Sequence, residues 1–179
     1  AVEAVLAATI SLEDNVLFNA GKGSVFGKDG SQEMDASIMD GKNLMAGAVS
    51  AVRNVRNPVE LAHAIMNKSQ HVMLNGNGAL EFAKEHGLQI EEDEYFYSAF
   101  RYEQWKQMQG SNEVVLDHNV VIKDKKFGTV GCVALDKNGN IAVATSTGGK
   151  GFEIPGRISD SATVAGNYAN EFCGVSLTG

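Results

Sequence analysis

The chain has 179 residues, 44% of them hydrophobic and 21% charged, enough for one sizeable core and about one domain. Its 15 basic and 22 acidic residues leave a net charge of −7 with no basic cluster, which argues against nucleic acid or anionic membrane as partners. No apolar run approaches a membrane span, no signal peptide is visible, and Cys132 and Cys173 lack metal-ligand spacing; buried thiols in a reduced, cytoplasmic setting are the simplest account.

In chain order, residues 1 to about 12 carry apolar positions at helical spacing and predict an amphipathic helix. Asn15 to Phe18 reads as a short strand, and Asn19-Ala20-Gly21-Lys22-Gly23-Ser24 as a glycine-spaced loop. That loop is not a phosphate loop, because the G-x-x-x-x-G-K spacing would need glycine where Val16 stands. Gly148-Gly149-Lys150 fails the same test at Ala144. Two strands follow, Met34 to Met39 and Leu44 to Val52, around the turn Asp40-Gly41-Lys42-Asn43. Pro58 after Asn57 opens a helix that runs to Lys68, and Ala79 to Glu85 is another, stopped by Gly87. His63 and His71 have no carboxylate or cysteine at ligand spacing.

Glu91-Glu92-Asp93-Glu94 suits a solvated helix start, where carboxylates complement the N-terminal dipole, and the helix from Tyr95 to Gln109 carries the single Trp. Gly110 to Phe127 reads as a long, poorly anchored connection, and a loop of that length inside a compact domain is commonly functional or disordered. It leads into Gly128-Thr129, where a flexible approach would suit a processing site.

The most informative stretch is Gly128 to Gly149, two apolar strands joined by a tight turn, with a threonine at each open end. A type I′ turn on Asn138-Gly139 would pair Lys137 with Asn140 and set Thr129 opposite Gly148. A type I turn from Asp136 with Gly139 left-handed would pair Asp136 with Asn140 and set Thr129 opposite Thr147. We favour the second. Asp is a preferred first residue of a type I turn, and Gly139 stands where a positive φ is required. The faces then sort, with Val133, Leu135, Ile141 and Val143 on the threonine side and Cys132, Ala134, Ala142 and Ala144 on the other. Two apolar faces imply a sheet covered on both sides. Taken alone, two rim threonines more often satisfy edge hydrogen bonds than perform chemistry.

Beyond the hairpin, Gly151 to Gly156 is a loop, Ala162 to Ala169 a small-residue helix, and the last strand leads to Thr178-Gly179. Arg157 and Asp160 have the chemistry to hold a small zwitterion, the guanidinium forking onto its carboxylate and the aspartate accepting from its ammonium, but their spacing alone favours a local surface pair. Both ends look cut: the first helix has no cap ahead of it, and the last strand ends with nothing to hold it.

Four segments, Gly128 to Asp136, Thr145 to Gly149, Pro155 to Ser161 and Ser176 to Gly179, resemble the plant-type asparaginase and isoaspartyl peptidase family of N-terminal-nucleophile hydrolases. Leu17 to Val25, Glu33 to Gly41 and His71 to Leu74 match as well, so the resemblance covers essentially the whole chain. It implies an α+β fold, an αββα sandwich forming a single domain over residues 1–179, here partial. Residues 1–128 would form the α-subunit part with a flexible linker at about 110–128, and 129–179 the β-subunit part.

By the same resemblance Thr129 would be the nucleophile, freed by self-cleavage of the Gly128–Thr129 bond, and Thr147 would orient it. Arg157 would hold the substrate α-carboxylate, Asp160 its α-amine, and Thr178 with the Gly179 amide would form the oxyanion hole, with Asn19 in support. The implied substrates are β-aspartyl (isoaspartyl) dipeptides and L-asparagine, the implied assembly a dimer of αβ heterodimers, and no cofactor would be needed for catalysis. A structural sodium ion would be held by the backbone carbonyls of Leu12, Glu13, Asn15, Phe18, Ala20 and Lys22. The family's His-Gly-Gly strand and its last strands are missing from these residues, and Asn75-Gly76-Asn77-Gly78 departs from a more usual acidic loop. A glycosylasparaginase-like enzyme and a silent precursor or fragment acting as scaffold or folding intermediate are the alternatives.

Overall fold

The hairpin from Val130 to Thr147 sets the architecture. In the computed structural model, which describes residues 1–109 and 128–178, β4 (Val130–Leu135) and β5 (Ile141–Thr147) pair antiparallel from Leu135↔Ile141 to Val130↔Ser146. The turn closes as favoured: Asp136 N–H donates to Asn140 O, Gly139 N–H to Asp136 O, and Gly139 has φ +81°. Asp136 Oδ1 accepts from the backbone N–H of Asn138 and Asn140, so the side chain fixes the turn that fixes the register.

Upstream of the hairpin come α1 (Val2–Glu13), β1 (Met34–Asp40), β2 (Ala46–Val52), α2 (Pro58–Lys68), β3 (Met73–Asn75), α3 (Gly76–Glu85), α4 (Asp93–Phe96) and α5 (Ala99–Met108). After it come β6 (Asn167–Ala169) and β7 (Gly174–Ser176). The main sheet runs β3-β2-β1-β5-β4, parallel only between β2 and β3, and β6 and β7 form a second, two-stranded sheet. Val5 of α1 and Val59, Leu61 and Ile65 of α2 pack on Ala36, Ile38, Val49, Ala142 and Ala144, which makes the helix-facing core. On the opposite face Met39 and Val143 pack against Ala169 of β6. The described residues therefore stack as helices, sheet and sheet, the α+β layering expected of the sandwich. The two faces divide as the hairpin predicts, small residues to the helices and large aliphatics to the second sheet. Cover on the second face thins toward β4, where Val133 and Leu135 are 48% and 69% exposed.

Several expectations are corrected. Asn15 to Phe18 is a turn, not a strand, because Phe18 N–H donates to Asn15 O and the Asn15 side chain accepts from Leu17 N–H. The Tyr95–Gln109 helix is two helices broken at Tyr97-Ser98, both extended, which lets Phe96 enter the core while Tyr97, Tyr102 and Trp105 surround Phe26. Ala162 to Ala169 is not a helix. A 3-10 turn over Asp160–Ala162 gives way to β6, because Gly166 packs against the Asp160 backbone and Asn167 is drawn to Thr145. β2 starts at Ala46, after Leu44 takes φ +60°, and α3 begins earlier, at Gly76. Cys132 is half-buried and Cys173 exposed, so only the first is sheltered as expected. The Gly110 to Phe127 connection lies outside the described residues. Among the described residues no helix is long and apolar enough to cross a membrane.

Candidate active site

Thr129 stands at the head of β4, and the hairpin register carries it opposite Thr147 at the end of β5. Its hydroxyl donates to Thr147 Oγ1 at 3.0 Å, and Gly149 N–H donates to the same oxygen at 3.2 Å. Thr147 is buried and Thr129 half-buried, so the pair is sheltered yet reachable.

Asn19 grips both sides of this site. Its backbone N–H donates to Gly128 O at 3.3 Å, and its carbonyl accepts from Gly148 N–H at 2.9 Å. Its side chain donates from Nδ2 to Gly149 O at 2.7 Å and accepts Val25 N–H on Oδ1 at 3.0 Å. Gly148 has no room for a side chain here: a Cβ would collide with Ser24 and lie 2.6 Å from Asn19 Oδ1. Gly148→Ala is expected to lower stability by about 1–3 kcal/mol, the usual cost of overpacking. An unchanged melting temperature would contradict that.

Asp35, Ser37, Thr145 and Thr147 share one face of the sheet, since Asp35 pairs with Thr147 and Ser37 with Thr145. Asp35 accepts Ala51 N–H on one oxygen (2.8 Å) and Ser159 N–H on the other, while Ser37 Oγ donates to Ser161 O. These bonds hold the Arg157–Asp160 segment over β1, beside Thr147. Burial pushes the Asp35 carboxyl up, and hydrogen bonds from Ser159 and Ala51 pull partly back. Arg157 Nη1 donates to Glu153 Oε2 at 3.1 Å, and Asp160 is exposed.

Thr178 also arrives near the site: a Cβ on Gly131, two residues past Thr129, would lie 3.3 Å from Thr178 Cγ2. Gly179 lies outside the described residues. Thr129, Thr147, Asn19, Arg157, Asp160 and Thr178 thus converge on the hairpin's open end and the sheet face beside it. Sequence reasoning missed Asp35 and Glu153. The signal for Asp35 was available in Met34-Asp35-Ala36-Ser37-Ile38, a polar alternation inside a buried strand.

The carbonyls named for sodium lie in one wrapped loop. Leu12 O accepts Asn15 N–H, Asn15 O accepts Phe18 N–H, and Ala20 O accepts Gly23 N–H. Gly21 presses on Glu13 O and Gly23 on Phe18 O, so those carbonyls crowd the same turn. A carbonyl oxygen has two lone pairs, so this donor set fits a hard monovalent cation. Among the described residues no group of three His, Cys, Asp or Glu is placed to hold a metal ion.

Helices over a sheet with a second sheet behind it are the layering expected of the N-terminal-nucleophile fold class, and here a threonine hydroxyl at a strand head is bonded to a second threonine. A family model described as Asparaginase matches residues 1–179, and the chain belongs to that family. It is 47% identical over 183 residues to the isoaspartyl peptidase of Escherichia coli (strain K12), covering 100% of this chain and 57% of that protein. It is 45% identical over 181 residues to an isoaspartyl peptidase/L-asparaginase of Xenopus laevis, with 100% and 57% covered. A probable isoaspartyl peptidase/L-asparaginase 2 of Arabidopsis thaliana is 38% identical over 200 residues, with 100% and 62% covered. The chain therefore spans a little over half the length of these relatives.

Proposed function

We propose that the protein is a self-cleaving threonine amidohydrolase acting on β-aspartyl peptides and L-asparagine. The observation that carries this reading is the 3.0 Å contact between the Thr129 and Thr147 hydroxyls, beside the docked Arg157–Asp160 segment.

In the uncut chain, Thr129 Oγ attacks the Gly128 carbonyl carbon, the peptide nitrogen departs as the Thr129 amine, and an ester joins Gly128 to Oγ. Asn19 N–H, already on Gly128 O at 3.3 Å, stabilises the charge that grows on that oxygen. Water hydrolyses the ester and frees the hydroxyl. The new α-amine, with an ordinary pKa of about 7.7–8.0, then serves as base for its own hydroxyl. In hydrolysis Oγ attacks the side-chain carbonyl of the aspartyl group, and ammonia or a peptide amine leaves with the proton. Water releases aspartate from the ester. Thr147 orients Oγ, Arg157 and Asp160 take the α-carboxylate and α-amine, and Thr178 with the Gly179 amide receives the oxyanion.

Sodium bound by the Leu12, Glu13, Asn15, Phe18, Ala20 and Lys22 carbonyls would stiffen the loop from which Asn19 reaches the site. The free state of both cysteines suits a cytoplasmic setting. Intact mass and product analysis test the reading together. Two fragments divided before Thr129, with aspartate released from both substrate classes, are expected; one unbroken mass with no aspartate would overturn it.

A further inference from the structure

We propose that Glu153 is a positioning residue that presents Arg157 to the substrate α-carboxylate and ties that anchor to the turn holding Thr147; the inference rests on the function proposed above. Glu153 is 8% exposed, buried in a loop that turns outward at the next residue, Ile154, which is 63% exposed. Both its backbone and its carboxylate are held. Its carbonyl accepts Lys28 N–H at 2.7 Å, its N–H donates to Lys150 O at 3.2 Å, and its Oε2 accepts Lys150 N–H at 2.8 Å. The same Oε2 receives Arg157 Nη1 at 3.1 Å, and Gly156 N–H is fixed by Glu33 Oε2 at 2.6 Å. A guanidinium has five N–H donors in a rigid plane. Fixing one of them on a buried carboxylate sets the direction of the others.

The other oxygen faces the Gly149 turn. Gly149, at φ +79°, lies so close that a Cβ there would collide with Glu153 Oε1. Gly149 N–H reaches Thr147 Oγ1, and Thr147 Oγ1 takes the Thr129 hydroxyl. One carboxylate therefore touches both the group assigned to the substrate's head and the turn that places the attacking oxygen. Its burial raises the affinity for a proton, and the Arg157 charge opposes that rise, as expected where an ion pair keeps a sheltered carboxylate ionised.

Glu153→Gln tests this, because the amide oxygen still accepts Lys150 N–H while the charge that orients Arg157 is gone. Loss of a charge-assisted bond at a binding group typically costs about tenfold or more in affinity. The full-length variant should cleave itself at a rate within about twofold of wild type and keep its melting temperature. KM for L-asparagine should rise about tenfold, with kcat within about twofold. An unchanged or lowered KM would overturn the proposal, as would a joint fall of self-cleavage, stability and kcat, which marks a merely structural role. Wild-type protein that neither cuts itself nor hydrolyses asparagine would sink the parent reading. Active wild type with an indifferent Glu153→Gln would sink this inference alone.

Discussion

Thr129→Ala protein will remain one uncut chain and will release no aspartate from L-asparagine or a β-aspartyl dipeptide. One oxygen is asked to do two jobs. On the proposed mechanism it must reach the Gly128 carbonyl before cleavage, and afterwards attack the substrate with its own amine as base. Alanine removes it from both while leaving the β4 backbone and its pairing with β5 in place. Loss of a covalent nucleophile commonly costs about 10⁴–10⁶ in rate, because only binding and oxyanion stabilisation remain. Thr129→Ser supplies the contrast: it keeps the hydroxyl and should still cut, more slowly, since the lost methyl frees the side-chain rotamer. Thr147→Ala should fall between, keeping the nucleophile but losing the 3.0 Å contact that aims it. Electrophoresis and steady-state turnover on the three variants give the ranking. A cut, active Thr129→Ala would remove the basis of the mechanism.

What the sequence disclosed follows the range of the forces involved. The hairpin was legible because Asp136 and Gly139 write the turn locally, and the turn then dictates that Thr129 meets Thr147. The strands β1 and β2 and the Pro58 helix were legible for the same reason: pattern, cap and breaker all lie within the element. Asn167 to Ala169 was misread because its pull toward a strand comes from Thr145 and β7, far along the chain, and small residues have no strong preference of their own. Asn15 to Phe18 failed the other way, since Asn15 closes a turn with its side chain against the strand tendency of Val16. Within the site, Arg157 and Asp160 could be named through the family resemblance, since their spacing alone favours a surface pair. The carboxylates that hold their segment could not, because Asp35 to Ser159 and Glu33 to Gly156 are contacts across more than a hundred residues.

The second large effect concerns stability rather than rate. Glu13, the last residue of α1, is fully buried beneath β5. Its Oε1 accepts Ser146 Oγ–H at 2.6 Å and Val59 N–H at 3.0 Å, while Oε2 has no hydrogen-bond partner among the described residues. Burial pushes its carboxyl from 4.5 up to about 8, with those two bonds opposing the shift. The folded chain therefore keeps a proton that the unfolded chain gives up between pH 4.5 and 8. Stability from this group is complete below the lower value and drains away as pH rises through the upper one. The slope approaches about 1.4 kcal/mol per pH unit, so a few kcal/mol are at stake. Asp35 and Glu153 are shifted in the same direction, so wild type alone cannot apportion the effect. Glu13→Gln can. Its amide oxygen keeps both acceptor roles and never ionises, so its stability should depend less on pH than that of wild type. Urea midpoints at a fixed sodium concentration should show the two proteins similar near pH 5 and the variant ahead by a few kcal/mol near pH 8.5. Two parallel curves would mean that Glu13 carries its charge in the folded state. In that case Ser146 Oγ–H and Val59 N–H, one residue from Thr147 and at the head of α2, would be holding a buried anion behind the nucleophile.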